Sequence, residues 1–238
     1  KIYFLNKNWR LKMDRRNFLD LSVKGFSLAS LASFNPFSIG QVMAEEEFKW
    51  PHEQFKYELG DFTLKNGTVL KDAFLLVDAH GTLNKDKSNV IVYPTCYAGN
   101  HYLNRGSLGL DRAMDPSKYF IIIPNMIGCG QSSSPSNTAS PQDGPRFPDV
   151  SYWDNIEAQY RLLKTYYGIN NTLMYVGFSM GGQQAFHWGV MHGDTTGAIV
   201  SVAGTAKTTT HNWLFLEGCK KALQADINFK GGDYTSPP

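Results

Sequence analysis

The chain predicts an α/β fold, a mostly parallel sheet with flanking helices, and three observations carry that prediction. First, four short apolar runs recur along it: Asn89-Val-Ile-Val-Tyr93, Tyr119-Phe-Ile-Ile-Ile123, Leu173-Met-Tyr-Val176 and Ala198-Ile-Val-Ser-Val202. Runs of that length without alternation read as strands buried on both faces. Second, residues 151–167 and 183–191 have helical patterning and lie between or after those runs. Third, Gly177-Phe-Ser179-Met-Gly181 sits where a strand ends and a helix begins, the setting of a nucleophile elbow.

Each element has a local reason. Residues 55–59 and 68–77 are apolar or alternating and flank Asn66-Gly67, a hairpin-turn signal, so they predict opening antiparallel strands. The run at 89–93 leads into Pro94-Thr-Cys-Tyr-Ala-Gly-Asn100, a loop, and Pro124 closes the run at 119–123. Residues 128–148, rich in Pro, Ser and Gly, read as a binding rim. Asp149 is placed to cap the helix over 151–167, with Ile156, Tyr160, Leu163 and Tyr167 on one face and Gly168 at its end. A further helix is expected over 213–223, followed by a loop through Gly231-Gly-Asp-Tyr234 to the end.

The elbow carries the chemistry. Ser179 at the tip of so sharp a turn needs a strained backbone, and side chains at positions 177 and 181 would collide with the neighbouring strand and helix. The turn aims the Ser179 hydroxyl out of the sheet and puts the Met180 N–H at a helix start, where it can donate to a developing oxyanion. Ser179 is therefore the expected nucleophile. No histidine has an obvious place beside it. His187 and His192 follow Ser179 by eight and thirteen residues on the elbow helix, pointing along it and away from the serine, and read as structural. His101 lies in the loop after the 89–93 run, either on the pocket wall or in solvent. His52, His80 and His211 have no motif around them, and Asp154, like Asp149, reads as a helix cap.

Composition excludes some classes. The net charge is +2, but residues 1–44 hold seven Lys/Arg against Asp14 and Asp20, which leaves 16 basic and 19 acidic residues beyond them. No basic stripe remains for nucleic acid. The surplus belongs to a leader. Arg15-Arg16 precede a mildly apolar run from Leu21 to Phe34, and Val42-Met-Ala44 offers small residues for cleavage before Glu45-Glu-Glu47. Residues 13–44 thus resemble a twin-arginine export signal, with residues 1–12 upstream of Met13. The run is too short and polar for a stable membrane span. Removal near Ala44 would release an exported protein, periplasmic or secreted. Cys96, Cys129 and Cys219 are widely spaced without a metal pattern and read as free thiols.

Four pieces in order, Tyr119-Phe-Ile-Ile-Ile-Pro-Asn-Met-Ile-Gly128, Phe147-Pro-Asp-Val-Ser151, Gly177-Phe-Ser-Met-Gly-Gly-Gln-Gln184 and Gly231-Gly-Asp-Tyr234, resemble the homoserine O-acetyltransferase-like branch of the α/β-hydrolase superfamily. The resemblance covers about residues 55–238. It implies an α/β-hydrolase fold with its core over 45–206 and the start of a cap over 207–238. It also implies a Ser–His–Asp enzyme with an acyl-serine intermediate, whose oxyanion hole joins the Met180 N–H to one from the loop after the third strand. Cys96 best fits that second donor, with Tyr97 next. Small esters or thioesters are the implied substrates, acetyl-CoA the acyl donor if the acceptor is an alcohol, and no other cofactor or metal is expected.

The loop at Pro94-Thr-Cys-Tyr-Ala-Gly99 departs from the branch's usual His-Ala-Leu-Thr-Gly, and Trp153 and Lys220 stand where arginines are expected. The branch carries its triad Asp and His farther along than this sequence runs, so the 238 residues are expected to be a truncated, poorly active form. Two functions remain open: an esterase or O-acetyltransferase, and a non-catalytic domain binding a small ligand.

Overall fold

A computed structural model describes residues 48–235. The leader, with its twin-arginine pattern and cleavage site, lies outside the described residues. The chain opens with strand β1 (His52–Thr63) and strand β2 (Val69–His80). Between them Gly67 takes φ +87° and Asn66 Oδ1 accepts from the Thr68 N–H at 2.9 Å, so the Asn-Gly pair closes the expected hairpin. Both strands outrun their apolar patterns, and their pairing shifts register on either side of Gly60. β3 (Val90–Val92) and β4 (Phe120–Pro124) are short and wholly buried, with β5 (Thr172–Phe178) and β6 (Thr196–Val202) completing the sheet. The order is β1-β2-β4-β3-β5-β6. The first two pairings are antiparallel and the last three parallel, as the sequence predicts for a mostly parallel sheet.

Among the helices, α1 (His101–Arg105) follows the loop after β3, and α2 (Tyr152–Arg161) continues through a wider π turn (Leu162–Tyr166) to Gly168 at φ +61°. α3 (Met180–His192) is the elbow helix and α4 (Thr210–Ala225) the last. The cap of α2 is not Asp149. Ser151 is the N-cap, and it exchanges bonds with Asp154: Ser151 Oγ accepts from the Asp154 N–H, and the Ser151 N–H donates to the Asp154 carboxylate at 2.7 Å. Asp149 lies two residues too early to reach the first turn, and its carbonyl accepts from Asn66 instead. The C-terminal stretch, expected as loop, carries a 3₁₀ turn (Ile227–Gly232), and Arg146 pairs with Asp233 just beyond it.

The core is filled by Trp188 and Tyr175, stacked at 4.8 Å between centroids, with Ile122, Leu75 and Ile156. The 128–148 segment is stitched to β2: Ser132 and Ser133 hydroxyls accept from the Leu76 and Phe74 N–H groups, each at 2.9 Å. Buried serines thus satisfy the stretch of β2 that extends past the end of β4. α4 has no buried residue, and Trp213, Leu214 and Phe215 are more than half exposed. No described helix is long and apolar enough to cross a membrane.

Candidate active site

Ser179 joins β5 to α3 with φ +53° and ψ −116°, a conformation few side-chain-bearing residues adopt. Its backbone is held from both sides, the N–H donating to Val202 at 2.8 Å and the carbonyl accepting from Gln183 at 3.1 Å. The residue is half-exposed, and its hydroxyl makes no capping bond.

The flanking glycines are required by space. A Cβ at Gly177 would lie 1.9 Å from the Gly181 carbonyl oxygen, and one at Gly181 would lie 3.0 Å from the Pro94 carbonyl oxygen. Position 177 meets the helix as predicted. Position 181 faces the loop after β3 instead of a strand, and the close approach to β6 falls to Gly182, whose Cβ would sit 2.7 Å from Ser201 Oγ.

That packing lays the loop that leads into Cys96 against the start of the helix that begins at Met180. Met180 is the first residue of a 13-residue helix, so its N–H lies outside the intrahelical ladder. The loop residues Pro94 and Thr95 lie over the same first turn. Cys96 is buried, whereas Tyr97 is 61% exposed. Among the described residues the Cys96 N–H donates to no backbone acceptor. Burial pushes the Cys96 and Cys129 thiols up, so both stay protonated at neutral pH. All three cysteines are free.

His101 is neither a pocket wall nor solvated. It is fully buried on α1, and its backbone N–H meets Asn125 Oδ1 at 3.1 Å, with ring Nδ1 3.2 Å from the same atom. The physical reason is that α1 packs against β4, turning His101 inward. The elbow-helix histidines are structural as expected: His187 stacks on Tyr152, and His192 meets Glu157 at 3.0 Å while stacking on Tyr160. Trp153 lies under Lys65 at 4.4 Å, and Lys220 pairs with Glu217.

Sequence reasoning missed two polar groupings. Asp78, fully buried on β2, accepts from Arg105 Nε and Nη2 at 2.9 and 2.8 Å and meets His52 and His80 at 2.7 and 2.8 Å. Burial works against its charge, yet bonds from Arg105, His80 and His52 hold its carboxyl well below the usual range. Burial pushes His80 down. His52, Asp78 and His80 could face one metal ion, but the Arg105 guanidinium already takes both carboxylate oxygens, as in a salt bridge. The second grouping runs from Tyr175 through Gln159 and Gln184 to the Thr95 carbonyl. Its only signal in the sequence was the amide of Gln184, one turn into the elbow helix. A cavity of about 580 Å³ lies elsewhere, between Lys71, Phe74, Thr138 and Gln142, and Ser179 does not line it.

The family model described as the alpha/beta hydrolase fold matches residues 89–220, from just before β3 into α4. The chain belongs to that family. An ethyl acetate hydrolase of Pseudomonas veronii is 41% identical to this hydrolase-fold chain over 179 residues, covering 75% of it and 51% of the relative. The solved structure of an acetylester hydrolase from Corynebacterium glutamicum superposes with a TM-score of 0.73 at 40% identity, over 77% of this chain and 53% of that one. A homoserine O-succinyltransferase of Nitrosospira multiformis is 30% identical over 190 residues, 73% of this chain and 50% of the relative. The branch suggested by the sequence motifs is thus among the relatives, and esterases match at higher identity. The chain spans about half the length of the curated relatives it matches.

Proposed function

We propose that the protein carrying this chain is a serine esterase that cleaves small acyl esters through an acyl-serine intermediate. The observation that carries the reading is Ser179 at φ +53° between β5 and α3, with a helix-start N–H next to it. In the proposed cycle the Ser179 hydroxyl attacks the ester carbonyl, the Met180 and Cys96 N–H groups hold the oxyanion, the alcohol leaves, and water releases the acid. The identity to an ethyl acetate hydrolase, higher than to a homoserine transferase, supports water over an alcohol as acceptor. Export through the twin-arginine route, read from Arg15-Arg16, supports the same choice, because acetyl-CoA is cytoplasmic.

The general base and its carboxylate are assigned to residues beyond 48–235. Within that range His52, His80 and His192 are bonded to carboxylates, His101 is wholly buried beside Asn125, His187 stacks on Tyr152, and His211 lies on exposed α4. We infer that α4 opens a cap and that the 238 residues alone turn over poorly.

The test uses the longest native polypeptide containing this chain, given p-nitrophenyl acetate or, separately, acetyl-CoA with homoserine. Hydrolysis of the first, lost by about 10⁶-fold in Ser179→Ala as for other serine nucleophiles, is the expected result. Turnover of only the second pair, or ester cleavage indifferent to Ser179→Ala, would refute the proposal.

A further inference from the structure

Gln184 lies on the inner face of α3 with no solvent exposure. A buried primary amide is stable only when its oxygen and nitrogen both find partners, and Gln184 has one on each side. Its Nε2 donates to the Thr95 carbonyl at 2.9 Å, and its Oε1 accepts from Gln159 Nε2 at 2.8 Å. Gln159 in turn accepts through Oε1 from the Tyr175 hydroxyl at 2.6 Å.

The polarity of this relay follows from its ends. A carbonyl oxygen can only accept, so Gln184 must present its nitrogen to Thr95 and its oxygen to Gln159. Gln159 must then present its nitrogen to Gln184 and its oxygen to Tyr175, whose phenol must donate. Burial pushes the Tyr175 phenol well above its usual value, consistent with a hydroxyl that keeps its proton.

We propose that Gln184 is a positioning residue for the oxyanion donor at Cys96; the proposal rests on the acyl-serine reading above. Its leverage comes from one peptide plane. The carbonyl of Thr95 and the N–H of Cys96 belong to the same trans amide and point from opposite edges of it, so fixing one direction fixes the other. The remaining anchors of Thr95 act before that plane: its N–H donates to Pro124 at 3.3 Å and its hydroxyl accepts from the Met126 N–H at 3.1 Å. After it the Cys96 carbonyl, in the next peptide plane, accepts from the Gly99 N–H at 3.0 Å across a turn with Ala98 at φ +53°. Gln184 therefore sets the rotation of the plane and ties it to the helix that begins at Met180. One helix supplies the first donor from its N-terminus and aims the second from its inner face.

A pre-aimed donor lowers the barrier only when charge develops on the substrate oxygen. Gln184→Met, in the longest native polypeptide, is expected to reduce kcat for p-nitrophenyl acetate by about 10- to 100-fold, less than the 10²–10³ lost with a whole oxyanion donor. KM and the pH profile should stay put. Affinity for a phenylboronic acid, which forms a tetrahedral serine adduct, should fall by the same factor as kcat. A merely structural role would move neither ratio selectively. Gln159→Met frees the far end of the Gln184 amide and should lower kcat in the same direction by about 3-fold; it decides the matter if Gln184→Met does not fold.

A folded Gln184→Met with kcat and boronate affinity within about twofold of the unsubstituted protein would overturn the positioning role alone. So would an unchanged Gln159→Met if the first variant does not fold. Absence of ester turnover in the unsubstituted protein would instead overturn the esterase reading, and this inference with it.

Discussion

Replacing Ser179 by glycine and, separately, by alanine isolates the strain held at the elbow. The dihedrals +53° and −116° are the mirror image of −53° and +116°, an ordinary extended conformation. Glycine has no Cβ and takes both equally, whereas any side-chain-bearing residue in the first is strained by about 1–3 kcal/mol. Alanine keeps the strain and removes only the hydroxyl. Glycine removes both but loses about 0.5–1 kcal/mol more conformational freedom on folding. Taking the middle of each range, Ser179→Gly should be more stable than Ser179→Ala by about 1 kcal/mol, a Tm difference of about 3 °C for a domain of this size. Neither substitution disturbs the backbone bonds to Val202 and Gln183, and neither variant can form an acyl-enzyme, so the comparison reports the backbone alone. Thermal and urea unfolding of the two proteins side by side measure it. A glycine variant no more stable than the alanine variant would refute the claim that the fold holds strain at residue 179.

Gly177→Ala forces a Cβ to 1.9 Å from the Gly181 carbonyl oxygen, against an ordinary C···O approach of about 3.3 Å. It should cost about 3 kcal/mol and abolish fluorophosphonate labelling of Ser179. Gly193→Ala, where the added carbon meets open space at φ −56°, should instead raise the urea midpoint by the equivalent of about 0.5 kcal/mol. Arg105→Met removes the guanidinium from the fully buried Asp78 and should cost about 3 kcal/mol by urea unfolding at pH 7. Acid should weaken the fold in two stages. The folded pKa values of His80 and His101 are depressed, mainly by burial, so the unfolded chain takes up protons first and stability falls below about pH 6.5. Asp78, also depressed in the folded state, contributes stability above about pH 4 that is lost as pH drops toward its lower folded value. Urea midpoints between pH 8 and 3 check this, and a midpoint that rises on acidification would contradict it.

What the sequence made legible follows from what is local. The Asn66-Gly67 turn, the apolar strand runs and the strand–serine–helix junction each depend on neighbours a few residues away, and all appear at the predicted places. The cap of α2 was misplaced because Asp149 and Ser151 are both good capping residues, and only the path of the chain decides which reaches the first turn. The long-range polar groupings were hidden for a different reason. Asp78 and Arg105 are 27 positions apart and Gln184 and Thr95 are 89 apart, so nothing in either segment announces its partner. His101 shows the same limit: a loop histidine in the sequence becomes a core histidine once α1 folds onto β4.

The amide chain that ends on Thr95 bears on how such a centre could be transplanted. On the roles proposed above, grafting the glycine–serine–glycine bend into a foreign sheet would transfer the attacking oxygen and one of its two electrostatic supports. The other would arrive misdirected, because the proposal draws its aim from a tyrosine and two glutamines on three separate elements. A recipient scaffold would need that internal bracing designed in before the graft could be judged as a catalyst.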